Sequence, residues 1–126
     1  MKTIIKTTVL ALFLSLTVSA QKEKDILGKW KTEDNADVQA EIYLLSDGLF
    51  YGKVIMDKDK KVTNGKIILK KFVYNKKTNS FKGKLSPHDR DMELNATITF
   101  ESEDKLKVVA SKFLVFSKTI YFLKIK

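Results

Sequence analysis

A chain of 126 residues, 44% of them apolar, can build one hydrophobic core and is too short for two domains. It has no Cys, which excludes a disulfide framework, a thiolate metal site and a thiol nucleophile. Its 24 basic against 15 acidic residues give +9 and admit an anionic partner. The lysines nevertheless fall singly or in pairs among apolar residues, as in Lys105-Leu106-Lys107-Val108, so they read as the solvated outer face of a sheet and not as a nucleic-acid-binding tract.

The first twenty residues have the grammar of a signal peptide. Lys2 and Lys6 precede the apolar run Val9–Val18, which is too short to cross a bilayer as a helix, and Val18-Ser19-Ala20 supplies the small residues of a cleavage site. Cleavage is expected after Ala20, with the mature chain periplasmic or secreted. No Cys lies near the cut, so a lipoprotein anchor is excluded, and no second apolar stretch predicts a transmembrane span. Loss of Lys2 and Lys6 lowers the formal charge from +9 to +7.

Residues 21–27 are expected to be a short, loose polar lead-in, and 28–126 a β-barrel domain. Gly28-Lys29-Trp30 opens the first strand, and the acidic, Asn-containing stretch Thr32–Asp37 is a connection. Val38–Met56 reads as a hairpin whose arms flank Asp47-Gly48, a dipeptide that favours a tight turn because both positions tolerate positive φ. Gly52 inside the second arm marks a bulge or bend. Asp57–Asn64 is a charged loop ended by the turn signal Asn64-Gly65. Ile67–Tyr74 is a strand with Ile67, Leu69 and Val73 on one face and Ile68, Phe72 and Tyr74 on the other. After the polar turn Asn75–Asn79 come the short strand Phe81–Leu85 and the loop Ser86–Asp91, which holds the single Pro.

The clearest alternation follows. Met92, Leu94, Ala96, Ile98 and Phe100 point one way and Glu93, Asn95, Thr97, Thr99 and Glu101 the other. Beyond a turn at Glu101–Asp104, Leu106, Val108 and Ala110 continue the inner face. Phe113 and Leu114 fall in a connecting turn before the last strand, Val115–Lys126. About eight strands in sequential order predict an all-β fold, a single antiparallel up-and-down barrel that can be filled by side chains or hold one small ligand.

Gly28-Lys29-Trp30, Tyr51-Gly52-Lys53-Val54, Asn64-Gly65 before Ile67-Ile68-Leu69, Phe81-Lys82-Gly83 ahead of Pro87, Ala96-Thr97-Ile98-Thr99-Phe100, Leu106-Lys107-Val108 and Phe116–Lys124 occur in one order. In that order the chain resembles, over Leu27 to Lys126, the exported bacterial family known as domain of unknown function 2147. The resemblance implies a lipocalin-like or fatty-acid-binding-protein-like barrel behind a signal peptide, and brings no activity with it. The chain departs from the family pattern at Phe81, Ser86, His88–Asp91 and Phe122. Its Gly-x-Trp opening is also similar to that of lipocalins, where the Trp plugs one end of the barrel.

No constellation specifies a reaction. His88, Asp89 and Asp91 share one loop with no second His in the chain, which reads as a solvated turn, and Asp57-Lys58-Asp59 lacks the bidentate acid of a calcium loop. There is no Gly-x-Ser-x-Gly elbow and no glycine-rich phosphate loop, and Glu93 and Glu101 point outward. The chain is therefore expected not to be an enzyme and to carry no metal or cofactor.

Two binding readings follow. The first is a barrel for a small apolar or amphipathic ligand, in a candidate cavity lined by Trp30, Leu94, Ala96, Ile98, Val108, Ala110, Phe116 and Lys118, with the small Ala96 and Ala110 leaving volume on the axis. The alternative is a filled structural or protein-interaction barrel with a basic surface. Lys118 shares the phase of Phe116 and Ile120; a regular strand would turn it inward, and a bulge at Ser117 is expected to turn it out.

Overall fold

Val38, Ala40 and Ile42 are buried while the alternating Gln39, Glu41 and Tyr43 are not, and the same period runs through Leu94, Ala96 and Ile98 and through Leu106, Val108 and Ala110. Strands of this pattern pair edge to edge with their apolar sides turned the same way, and the computed structural model shows where that leads. It describes residues 23–33, 38–57, 65–87, 92–113 and 116–126. Among them are eight strands: β1 Gly28–Thr32, β2 Val38–Leu44, β3 Phe50–Asp57, β4 Ile67–Asn75, β5 Ser80–Leu85, β6 Leu94–Ser102, β7 Lys105–Lys112 and β8 Phe116–Lys124. Each pairs antiparallel with the next, and β1 pairs with β8, so the sheet closes into the expected up-and-down barrel.

The register fixes what lies at each end. Gly28 opposite Ile42, Leu44 opposite Phe50, Asn75 opposite Ser80, Ser102 opposite Lys105 and Trp30 opposite Lys124 place the three short turns and the C-terminal residues at one end. The connections β1–β2, β3–β4, β5–β6 and β7–β8 leave from the other, and each includes residues outside those described. The expected signal peptide, the Asp57–Asn64 loop beyond Asp57 and the His88–Asp91 loop also lie outside them.

The lead-in is not loose where it is described. Residues 23–26 form a helical turn, Leu27 N–H donates to the Lys24 carbonyl at 3.1 Å, and Ile26 is fully buried in the core. The Trp30 indole, also fully buried, donates to the Ile26 carbonyl at 2.9 Å. An indole N–H taken out of water needs such an acceptor, and the turn supplies it.

The expected hairpin turn at Asp47-Gly48 is present, and one face assignment, in β4, is corrected. The 45–49 turn is a three-residue loop: Gly48 N–H donates to the Leu45 carbonyl, only Gly48 has positive φ (82°), and the Asp47 carboxylate accepts from Leu49 N–H at 2.9 Å and from the Tyr51 hydroxyl at 2.8 Å. Those side-chain bonds hold Asp47 at negative φ and favour this loop. In β4, Leu69 and Phe72 are both buried and Val73 is 53% exposed, against the expected face assignment. Register shifts between Lys70 and Val73, with Lys71 at φ 55°, and the extra residue of this bulge reverses the phase of the strand. At Gly52 the expected irregularity is present, with register shifts on both sides of it.

The core runs the length of the barrel. Trp30, Phe50, Phe72, Phe81 and Phe122 are buried in it, and ring contacts link Trp30 to Phe100 (6.5 Å), Phe100 to Phe81 (6.4 Å), and Phe81 to Phe50 (5.4 Å) and Tyr74 (4.8 Å). Edge-on arrangements dominate, as the ring quadrupoles favour.

Candidate functional site

The candidate cavity residues do converge on one wall. Ala96 lies opposite Ala110 and Ala110 opposite Lys118; Ile98 lies opposite Val108 and Val108 opposite Ile120. Trp30 lies across the β1–β8 seam, opposite Lys124. Leu94, Ala96, Ile98, Val108 and Ala110 are all buried. Phe116 opens β8, and its side chain is not among those described.

Beside these residues the described side chains pack closely at two places. Gly83 pairs with Ala96, and a Cβ placed on Gly83 would fall 2.7 Å from both the Lys70 carbonyl oxygen and the Phe72 ring, so Phe72 occupies the space that glycine vacates. The crevice bordered by Ile26, Ile42, Phe50, Leu69, Phe72 and Ile98 leaves no room for a water-sized sphere.

Lys118 is exposed without any bulge at Ser117. The β7–β8 register is unbroken from Lys105–Leu123 to Lys112–Phe116, so Lys118 keeps the phase of Ala110. It escapes burial because it stands near the start of β8, at the rim, where an inward-phased side chain reaches solvent and needs no anionic partner.

Lys124, which the sequence reading passed over, closes the opposite end. Its Nζ lies 4.7 Å from the centre of the Trp30 ring and donates to the carbonyls of Leu27 (2.7 Å) and Asp25 (3.5 Å). The signal was available in its spacing: Lys124 follows Ile120 and Phe122 at a period of two.

On the outer wall the described ion pairs join residues far apart in sequence. Lys105 pairs with Glu33 at 2.9 Å, with its Nζ 4.6 Å from the centre of the Tyr121 ring; Lys126 pairs with Asp104 at 3.0 Å and Lys53 with Glu41 at 3.8 Å. The Glu33 carboxylate raises the Lys105 pKa above its ordinary value, chiefly through their hydrogen bond. The hydrogen bond to Asp47 raises that of Tyr51, and burial raises that of Tyr74. Among the described residues no three His, Asp or Glu side chains are grouped to hold a metal ion, and no helix is long and apolar enough to cross a membrane.

Comparison with protein-family models, with curated proteins and with solved structures finds no match for this chain.

Proposed function

We propose that this protein is a non-catalytic interaction barrel of the bacterial envelope, exported with cleavage after Ala20, which uses its interior for packing and its basic outer wall for binding. The observation that carries this reading is the close packing of the described inner residues. Ala96 and Ala110 are 4% and 0% exposed, the space beside Gly83 is taken by Phe72, and the crevice bordered by Phe50 and Phe72 does not admit water. An eight-stranded barrel is just wide enough to be filled in this way. The resemblance to the exported domain of unknown function 2147 family supports the cellular setting and adds no reaction.

Native mass spectrometry of the protein purified from its own envelope tests the reading. The expected mass is that of a bare chain starting at Gln21; a stoichiometric lipid-like adduct overturns it in favour of an internal ligand. Ala110→Phe gives an independent check. In a full core the added ring lowers stability by about 1–3 kcal/mol in urea denaturation, whereas in a ligand cavity it would displace the ligand at little cost to the fold.

A further inference from the structure

We propose that the outer face of the β4–β5 hairpin is the docking face of this barrel, and that its partner is the surface of an anionic lipid bilayer. The inference rests on the interaction reading above and names its site and partner. Residues 66–85 contain seven lysines, at 66, 70, 71, 76, 77, 82 and 84, and no Asp or Glu. The chain after Ala20 carries a formal +7, so this one hairpin accounts for the whole excess.

The register turns the count into a surface. Lys82 and Lys84 are exposed and alternate with the buried Phe81 and Leu85, Lys70 lies directly opposite Lys84, and Lys71 is exposed at the bulge. Lys76 and Lys77 are exposed in the turn beyond. Lys66 donates to the Pro87 carbonyl at 3.4 Å, and Lys84 donates to the Asn95 side-chain oxygen. Among the described residues none of the seven has a carboxylate within salt-bridge distance, whereas Lys53, Lys105 and Lys126 elsewhere on the barrel do. Like charges directly opposite across strands repel, and an anionic surface removes that repulsion on contact.

Shape and chemistry select the partner. The rings of Phe72, Phe81 and Tyr74 turn inward, so the face offers no platform on which bases could stack. It is the convex wall of a barrel, and a convex wall meets a flat sheet of charge along a line. The nine residues of β4 span roughly 30 Å and, tilted as strands in a closed barrel are, cover roughly 20 Å of that line, more than twice the screening length at physiological salt. The cations are all lysines, point charges suited to a diffuse layer of headgroups and not the planar forks that single out one bidentate anion.

The test is sedimentation with vesicles of phosphatidylcholine, alone and mixed with phosphatidylglycerol. The protein should bind only the mixed vesicles, and less as salt rises. Lys70→Gln/Lys71→Gln/Lys82→Gln/Lys84→Gln should lower the partition coefficient by roughly 100-fold or more, since each lysine at such a surface is worth about a factor of five. The control Lys29→Gln/Lys107→Gln/Lys112→Gln/Lys118→Gln removes the same charge from other faces and should lose far less. Circular dichroism checks that both fold, and the single exposed change Lys82→Glu should weaken binding by itself more than tenfold. Equal loss in the two quadruple variants overturns the hairpin assignment and leaves a generally basic surface. Binding to soluble polyphosphate without binding to vesicles overturns the bilayer as partner and leaves the interaction reading standing. Binding to neither overturns both.

Discussion

Lys124 shows how one side chain can fasten three parts of a chain. Its ammonium lies over the negative face of the Trp30 ring and donates to two carbonyls of the 23–27 segment, so it ties β8 to β1 and to the turn that closes the barrel. Lys124→Met keeps the aliphatic stem but strips those carbonyls of their charged donor, and should lower stability by about 1–3 kcal/mol in urea denaturation. Lys126→Met at the exposed pair with Asp104 should change it by less than about 1 kcal/mol. If the two variants behave alike, Lys124 is only another surface lysine. Phe113 presents the opposite case, a ring 82% exposed on a residue held at φ 57°. Asn tolerates that left-handed backbone better, and little packing is lost with the ring, so Phe113→Asn should raise the thermal midpoint, by an amount corresponding to roughly 0.5–1 kcal/mol.

At the scale of elements, the β4–β5 hairpin combines a well-packed inner face with a self-repelling outer one. Inside, Phe72 rests on Gly83, and Leu69 lies opposite Leu85. Outside, Lys70 faces Lys84. Lys70→Glu converts that pair to opposite charges while leaving the contact of Lys84 with Asn95, and should stabilise the barrel by about 0.2–1 kcal/mol at low salt. The gain should shrink as salt screens the pair. An unchanged midpoint at low salt would mean that the two ammonium groups do not feel each other. A hairpin that is more stable and binds vesicles less well would show that the lysines are placed for binding at the expense of folding.

For the whole molecule, alkaline pH is the condition that finds the weak points. Tyr51, Tyr74 and Lys105 all have pKa values raised above their ordinary 10.0, 10.0 and 10.5, so each holds its proton more tightly folded than unfolded. The sign follows from linkage: their contribution is complete below the ordinary values and is lost as pH climbs through the raised ones. The urea midpoint should therefore hold from about pH 7 to 9 and decline beyond about pH 10. Tyr51→Phe/Tyr74→Phe should flatten part of that decline. A midpoint that fell already in the neutral range would assign the pH dependence to other groups.

The period of two in β6 and β7, the turn residues between strands and the sequential order of apolar runs were enough to specify an all-β, up-and-down barrel, because local alternation dictates which face of each strand is buried and short connections leave neighbours little choice but to pair. Alternation also told which side of Ala96, Ile98, Val108 and Ala110 faces the axis. It could not tell what stands opposite them. The bulge at Lys71 that swings Phe72 inward over Gly83, the rim position that keeps Lys118 in solvent, the reach of Lys124 onto Trp30 and the facing of Lys70 and Lys84 all depend on register and closure. Those are contacts between residues distant in sequence or across strands, and only the closed sheet decides whether small side chains leave a cavity and whether scattered lysines become a surface.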